Sequence, residues 1–117
     1  HILLVEDNVS NQVLISKYVE KLGPSVDIAG NGEDAINKAL KQNYDLILMD
    51  MQMPVMDGLE ATRQLREMGN NTTIISLTAN AMVEDRNKCI DAGANDYLSK
   101  PIEIKEFYST LRKYLDA

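Results

Sequence analysis

Five short runs of apolar residues alternate along the chain with longer segments in which apolar residues recur at helical spacing. The short runs are continuous rather than interrupted by polar residues, which is typical of parallel strands covered on both faces. They predict strands at residues 2–5, 26–29, 46–49, 73–77 and 96–98.

An amphipathic segment follows each predicted strand. The first helix should end at Gly23-Pro24, the third should begin near Asp57-Gly58, and the fourth should close at Ala92-Gly93. We expect the five apolar faces to contain, in order, Leu14, Ile15, Tyr18, Val19 and Leu22; Ala35, Ile36, Ala39 and Leu40; Leu59, Thr62 and Leu65; Met82, Cys89 and Ile90; and Ile104, Phe107, Tyr108, Leu111, Tyr114 and Leu115.

Five consecutive β-α units predict an α/β fold, a doubly wound domain with a five-stranded parallel sheet. In such sheets ligands bind outside the carboxyl ends of the strands, beside the topological switch point. A length of 117 residues suits one domain spanning residues 1–117. Because the chain opens at His1-Ile2, where the first predicted strand begins, and has no initiator Met, we interpret it as a domain of a longer protein.

The balance of charges narrows the possible partners. The net charge of −6 disfavours direct nucleic-acid binding, which needs a basic face, and suits basic partners or metal cations. The single cysteine, Cys89, permits no disulfide within the chain and is expected to be a small buried hydrophobe. The apolar runs are shorter than a membrane span and no signal-peptide pattern precedes them, so we expect a cytoplasmic domain without membrane contact.

Carboxylate, hydroxyl or ammonium side chains follow four of the predicted strands. Glu6-Asp7 follows the first, Asp50 the third, Thr78 the fourth and Lys100 the fifth. Carboxylates this close repel one another unless a cation intervenes, and a hard divalent ion such as Mg²⁺ suits such oxygen ligands. A carboxylate nucleophile, a metal, a hydroxyl and a lysine are the parts that phosphoryl transfer needs, which makes Asp50 the expected acceptor.

Each of these residues also has an ordinary interpretation. Glu6-Asp7 could cap a helix, Asp50 could begin an acidic loop, and Thr78 could cap the fourth helix. Lys100 could be one more solvated lysine. Singly, these interpretations are favoured for Glu6, Thr78 and Lys100, whereas the combination at four strand ends favours a site.

The motifs at these strand ends resemble those of the receiver domain of two-component response regulators. The likeness covers essentially the whole chain and is carried by Leu-Val-Glu-Asp-Asn (4–8), Leu-Met-Asp-Met-Gln-Met-Pro-Val-Met-Asp-Gly (48–58), Leu-Thr-Ala (77–79) and Ser-Lys-Pro (99–101). It implies a flavodoxin-like (βα)5 fold with strand order 2-1-3-4-5.

The resemblance also implies a role for each matched residue. Asp50 would accept a phosphoryl group from a histidine kinase or a histidine phosphotransfer domain. Asp7 would coordinate Mg²⁺ directly, Glu6 would act largely through water, and Gln52 would offer its backbone carbonyl to the metal. Thr78 would bond the phosphoryl oxygens.

The remaining implied roles concern the response to phosphorylation. Lys100 would pair with the phosphoryl oxygens, and its bond to Pro101 would be cis. Tyr97 would change rotamer as Thr78 closes on the phosphoryl group, after which the surface of the fourth helix, fifth strand and fifth helix would repack. Tyr97 could equally be a static, half-buried aromatic. The domain would catalyse its own aspartyl phosphorylation and dephosphorylation, and Gln52 and Asn80 would tune the hydrolysis.

The sequence is most similar to receivers fused to hybrid sensor histidine kinases, which implies a phosphorelay. A stand-alone or DNA-binding regulator remains an alternative, as does a receiver-like module that binds a partner without being phosphorylated. A phosphatase resembling haloacid dehalogenases would need a second acid two residues after the nucleophile, and this chain has Gln52 at that position. A flavodoxin-like cofactor carrier would not place Glu6-Asp7 where its phosphate binds, and no nucleotide-binding motif occurs.

Overall fold

A computed structural model describes residues 1–79 and 83–115, in which strands and helices alternate along the chain. The strands are β1 (Ile2–Val5), β2 (Val26–Ala29), β3 (Leu46–Asp50), β4 (Thr73–Thr78) and β5 (Asp96–Ser99). The helices are α1 (Val9–Lys21), α2 (Gly32–Lys41), α3 (Gly58–Glu67), α4 (Val83–Ala92) and α5 (Ile104–Leu115). The predicted strands are confirmed, and β3, β4 and β5 each extend one residue further than predicted.

The strands form one parallel sheet in the order β2-β1-β3-β4-β5. This confirms the doubly wound fold and the expected strand order. The chain adds β2 on one side of β1 and then returns to add β3 on the other, which creates the switch point between β1 and β3. The carboxyl ends of these two strands are therefore the expected place for a ligand.

Two apolar cores lie on opposite faces of the sheet, because successive side chains of a strand point to opposite faces. One core joins the sheet to α2, α3 and α4 through residues such as Leu3, Ile47, Ala35, Leu65 and Cys89. The other joins it to α1 and α5 through residues such as Leu4, Leu48, Ile15, Phe107 and Leu111. Every residue of β1 and β3 is buried, which explains their continuous apolar sequences.

Side-chain caps and left-handed glycines define the helix boundaries. Asn8, Asn31 and Asp57 cap α1, α2 and α3, and each accepts a hydrogen bond from the backbone N–H three residues later. Gly23 and Gly93 follow α1 and α4 with φ of 106° and 115°, a conformation that glycine adopts without steric cost. The predicted ends of these helices are confirmed.

Among the described residues assigned to apolar helix faces, three are exposed. Leu14, Leu40 and Ile90 are 43%, 59% and 47% exposed. Each directly follows or precedes a buried residue in sequence, and neighbouring residues of a helix point about 100° apart. The buried stripe is thus narrower than the apolar pattern suggested. Met82, assigned to the fourth apolar face, lies outside the described residues.

Candidate functional site

Three carboxylates meet where β1 and β3 end. Glu6, Asp7 and Asp50, here called the acidic cluster, each bring one oxygen within 4.8 Å of the others. Val5 and Met49 are partners in the sheet, so the residues that follow them emerge side by side. Glu6 and Asp50 are buried, whereas Asp7 is exposed and gives the cluster access to solvent.

Lys100 reaches the acidic cluster from the end of β5, two strands from β3 at the same edge of the sheet. Its Nζ lies 3.0 Å from Oε2 of Glu6 and 3.1 Å from Oδ2 of Asp50. The backbone N–H of Lys100 donates to the Thr78 carbonyl at 2.7 Å, which fixes this residue beside the end of β4. The bond between Lys100 and Pro101 is cis, as expected. One ammonium thus bridges two buried carboxylates.

The electrostatics of the site leave negative charge uncompensated. Burial raises the pKa of Asp50, the nearby charge of Glu6 raises it further, and the hydrogen bonds from Lys100 and the Gln52 backbone only partly oppose them. Burial alone would lower the pKa of Lys100, but its hydrogen bonds to Glu6 and Asp50 raise it overall, so Lys100 is charged at neutral pH. Within the described residues, three carboxylates face a single ammonium.

The acidic cluster fits a magnesium ion. All its donors are oxygens, two are held by the sheet, and the third opens to water, which suits an ion that keeps several of its waters. Gln52 lies beside them: its backbone N–H donates to Oδ1 of Asp50 at 3.2 Å, and its side chain is exposed. Coordination by its carbonyl stays a prediction.

Thr78 occupies the end of the strand next to Asp50. Asp50 pairs with Leu77 in the sheet, so Thr78 stands one residue beyond its partner, and it is 2% exposed. Thr78, Gln52 and Asp85 help to line a cavity of about 30 Å³, roughly the space of one water. Asn80, predicted to lie near the phosphoryl group, falls outside the described residues.

Tyr97 lies on β5, away from the acidic cluster but on the same face of the sheet as Thr78. It is in register with Ser76 and half-buried. Two positions along the same strands, Thr78 is in register with Ser99, so Tyr97 and Thr78 are diagonal neighbours beneath α4. The Tyr97 hydroxyl and ring contact Arg86 of α4, with the hydroxyl 3.4 Å from Nη1.

Sequence reasoning missed two supports of the site. A Cβ on Gly58 would lie 1.9 Å from the carbonyl oxygen of Asp50, so only glycine lets α3 begin this close to β3. The Asp57-Gly58 pair was correctly interpreted as a helix start, and this hid the second role of the glycine. Asn8, rather than Asp7, caps α1, and its backbone N–H donates to Oε1 of Glu6 at 3.3 Å.

Comparison with known proteins agrees with this architecture. A family model described as the response regulator receiver domain matches residues 2–112. Hybrid signal transduction histidine kinase K of Dictyostelium discoideum is 36% identical over 98% of this chain, which spans only 10% of that protein.

Two solved structures are informative for the site. The receiver domain of sensor histidine kinase PA1611 from Pseudomonas aeruginosa, with magnesium coordinated in its active-site cleft, is 45% identical with a TM-score of 0.90 and coverage of 99% and 97% of the two chains. The receiver domain of the Saccharomyces cerevisiae response regulator Ssk1, crystallised with the histidine phosphotransfer protein Ypd1, is 32% identical with a TM-score of 0.92 and coverage of 97% and 86%.

A doubly wound sheet with acids, a hydroxyl and a lysine at its switch point defines a class of phosphoryl-transfer signalling domains. The chain belongs to the response regulator receiver domains of two-component systems. Its hybrid-kinase relatives support a phosphorelay context. Within the part of the chain that the structure describes, no helix combines the length and apolarity needed to cross a bilayer.

Proposed function

We propose that this domain accepts a phosphoryl group on Asp50 from a phosphorylated histidine of a kinase or a histidine phosphotransfer domain. The observation that carries the proposal is the convergence of Glu6, Asp7, Asp50 and Lys100 at the switch point of the sheet. Glu6 and Asp50 both contact Lys100, and of these two Asp50 is the one at the end of the central strand β3, next to the strand that ends at Thr78.

In the proposed reaction a carboxylate oxygen of Asp50 attacks the phosphorus of the donor in line with the departing group. A bond forms between that oxygen and phosphorus while the bond from phosphorus to the histidine nitrogen breaks, and the imidazole leaves with its electron pair. Mg²⁺ held by Asp7, Asp50 and water next to Glu6 would supply positive charge against the phosphoryl oxygens. The Lys100 ammonium supplies a second positive charge from the protein itself.

Phosphorylation would replace the single negative charge of the Asp50 carboxylate with the charge of roughly −1.5 to −2 that a phosphoryl group carries. Lys100 currently divides its hydrogen bonds between Glu6 and Asp50, and the new oxygens would compete for it. We expect the Thr78 hydroxyl to bond one of the phosphoryl oxygens and Tyr97, its diagonal neighbour, to repack beneath α4. The surface formed by α4, β5 and α5 would carry the signal outward.

The phosphoryl donor must approach over the exposed end of the acidic cluster. The first turn of α1 starts two residues after Asp7, and its Val9 and Val13 are 70% and 50% exposed and one turn apart. Exposed apolar side chains beside a reactive site are suited to bind a partner protein. The yeast receiver that was crystallised with a phosphotransfer protein is consistent with a partner of this class.

The wider context is also a proposal. We interpret residues 1–117 as one domain of a longer hybrid kinase, with a separate regulator as the alternative. A histidine kinase draws on ATP, so we place the domain in the cytoplasm.

The test is the intact mass of the domain after incubation with acetyl phosphate. We expect a gain of one phosphoryl group that requires Mg²⁺, disappears with chelator, and is absent from Asp50→Asn. Asp57→Asn is the control, because Asp57 caps α3 outside the acidic cluster. Equal phosphorylation of Asp50→Asn and wild type would contradict the assignment of the acceptor.

A further inference from the structure

Arg86 forms two contacts with Tyr97 that connect α4 to β5. Its guanidinium carbon lies 5.7 Å from the centroid of the Tyr97 ring, and its Nη1 lies 3.4 Å from the Tyr97 hydroxyl oxygen. A guanidinium within about 6 Å of an aromatic face is attracted by the ring, and it also donates to the hydroxyl. The two contacts hold the ring by its face and by its outer end.

These contacts hold the Tyr97 ring on the side of α4. Arg86 is exposed, whereas Tyr97 is half-buried and Thr78 is buried. We expect a movement of the ring over Ser76 and toward Thr78 to break its contact with Arg86, because Ser76 and Thr78 lie on β4 whereas Arg86 lies on α4. A contact present in one state and lost in the other biases the equilibrium toward the first.

We propose that Arg86 is a positioning residue that holds the Tyr97 ring against α4, opposes its movement toward Thr78, and so weakens the binding of a phosphoryl group or its mimic at Asp50. This inference rests on the proposed function, and it adds a residue that opposes the switch rather than one that drives it. Arg86 does not touch the reacting atoms; it acts through Tyr97.

The expected effect is modest, because the contact is at the surface. An exposed cation–π contact of ordinary strength corresponds to about a two- to fivefold change in an equilibrium constant. Arg86→Ala should therefore bind a phosphoryl mimic about two- to fivefold more tightly than wild type. Arg86→Lys keeps a charge over the ring without the planar donor, so its affinity should fall between the two.

The experiment is a calorimetric titration of the domain with beryllofluoride at saturating Mg²⁺, using wild type, Arg86→Ala and Arg86→Lys. Arg63→Ala is the matched control, since Arg63 is an exposed arginine of α3 whose ion pair joins it to Glu60 at 3.4 Å. We expect the control to bind the mimic as wild type does. Unfolding in urea checks that all variants are folded.

A double-mutant cycle separates this role from a general effect of charge. In a Tyr97→Ala background, Arg86→Ala should no longer change the affinity for beryllofluoride. An unchanged or weaker affinity of Arg86→Ala, or an equal gain in the Tyr97→Ala background, would overturn the inference. Absence of binding to wild type would instead overturn the proposed function, and this inference with it.

Discussion

Asp50 carries its charge where burial and a second carboxylate both oppose it. The pKa of Asp50 is raised, chiefly by burial and then by Glu6, so the ionised group destabilises the folded domain at neutral pH. Ionisable groups whose pKa is strongly shifted in this way cluster at the functional sites of proteins. The folded domain should therefore become more stable when Asp50 binds a cation or loses its charge.

We predict that Asp50→Asn is more stable than wild type in the presence of chelator, by on the order of 1 kcal/mol. Between the lower pKa of unfolded Asp50 and its raised folded pKa, the folded state binds more protons, so wild-type stability falls as pH rises through that window. The advantage of the variant should vanish below pH ~3.9 and be complete above the folded pKa. Urea unfolding at several pH values measures it, and a destabilised Asn variant at pH 7 would contradict this electrostatic account.

Lys100 is predicted to stabilise the fold as well as the phosphorylated state. Lys100→Ala removes the only ammonium in contact with Glu6 and Asp50 among the described residues, so we expect a loss of about 2–4 kcal/mol and a weaker structural response to phosphorylation. Lys113→Ala is the control, because Lys113 is 68% exposed and pairs with Asp96 at 3.7 Å. Its loss should stay below about 0.5 kcal/mol. Equal unfolding free energies of the two variants would contradict the buried role of Lys100.

At the scale of whole elements, the start of α3 holds Asp50 in place. The Gly58 backbone N–H donates to the Met51 carbonyl at 3.1 Å, and the missing Cβ of Gly58 leaves room for the Asp50 carbonyl. The loop between Met51 and Gly58 contains Val55 with φ of 69°, an unusual value for a β-branched residue. The loop and the helix start therefore fit together only with glycine at position 58.

We predict that Gly58→Ala costs about 1–3 kcal/mol and weakens Mg²⁺ binding, because the added methyl group must displace the Asp50 backbone. Gly30→Ala is the matched control: a Cβ there meets no atom within 4 Å, and the backbone is not left-handed. Calorimetric Mg²⁺ titration and urea unfolding of both variants measure the effects. Wild-type Mg²⁺ affinity in Gly58→Ala would show that the close approach does not position Asp50.

The elements themselves could be predicted from sequence, and the contacts between them only in part. Continuous apolar runs marked β1 and β3 because both are buried on two faces. The pattern could not show that Leu14 and Leu40 are exposed, since the width of a buried stripe depends on the neighbouring helices. The same limit hid the Arg86–Tyr97 contact, which joins two elements through side chains that no spacing relates.

At the scale of the whole molecule, topology explains why distant residues form one site. Glu6 and Lys100 are separated by 94 positions in sequence, yet Nζ of Lys100 lies 3.0 Å from Oε2 of Glu6. The two residues meet because parallel strands bring all their carboxyl ends to one edge of the sheet. This convergence followed from the predicted fold, so Glu6, Asp50 and Lys100 could be brought together from sequence. The resemblance of the motifs to a family supplied the expected roles.

The exposed start of α1 gives a prediction about the partner. Val13→Asp should slow phosphoryl transfer from a phosphorylated histidine phosphotransfer protein by about tenfold, since a charge replaces an apolar contact at the interface. Its reaction with acetyl phosphate should be unchanged, because this small donor needs no docking surface. Leu40→Asp is the control, at 59% exposure on α2. Equal slowing by both variants would contradict docking at α1.

The most direct test of the central claim is the chemical identity of the phosphorylated residue. After phosphorylation with Mg²⁺, borohydride reduces an aspartyl phosphate to homoserine, and the modified position can be read from peptide fragments by mass spectrometry. We predict homoserine at position 50 and unmodified Asp at positions 7 and 57. Homoserine at another position, or a phosphorylated protein that borohydride leaves unchanged, would contradict the assignment of Asp50 as the acceptor.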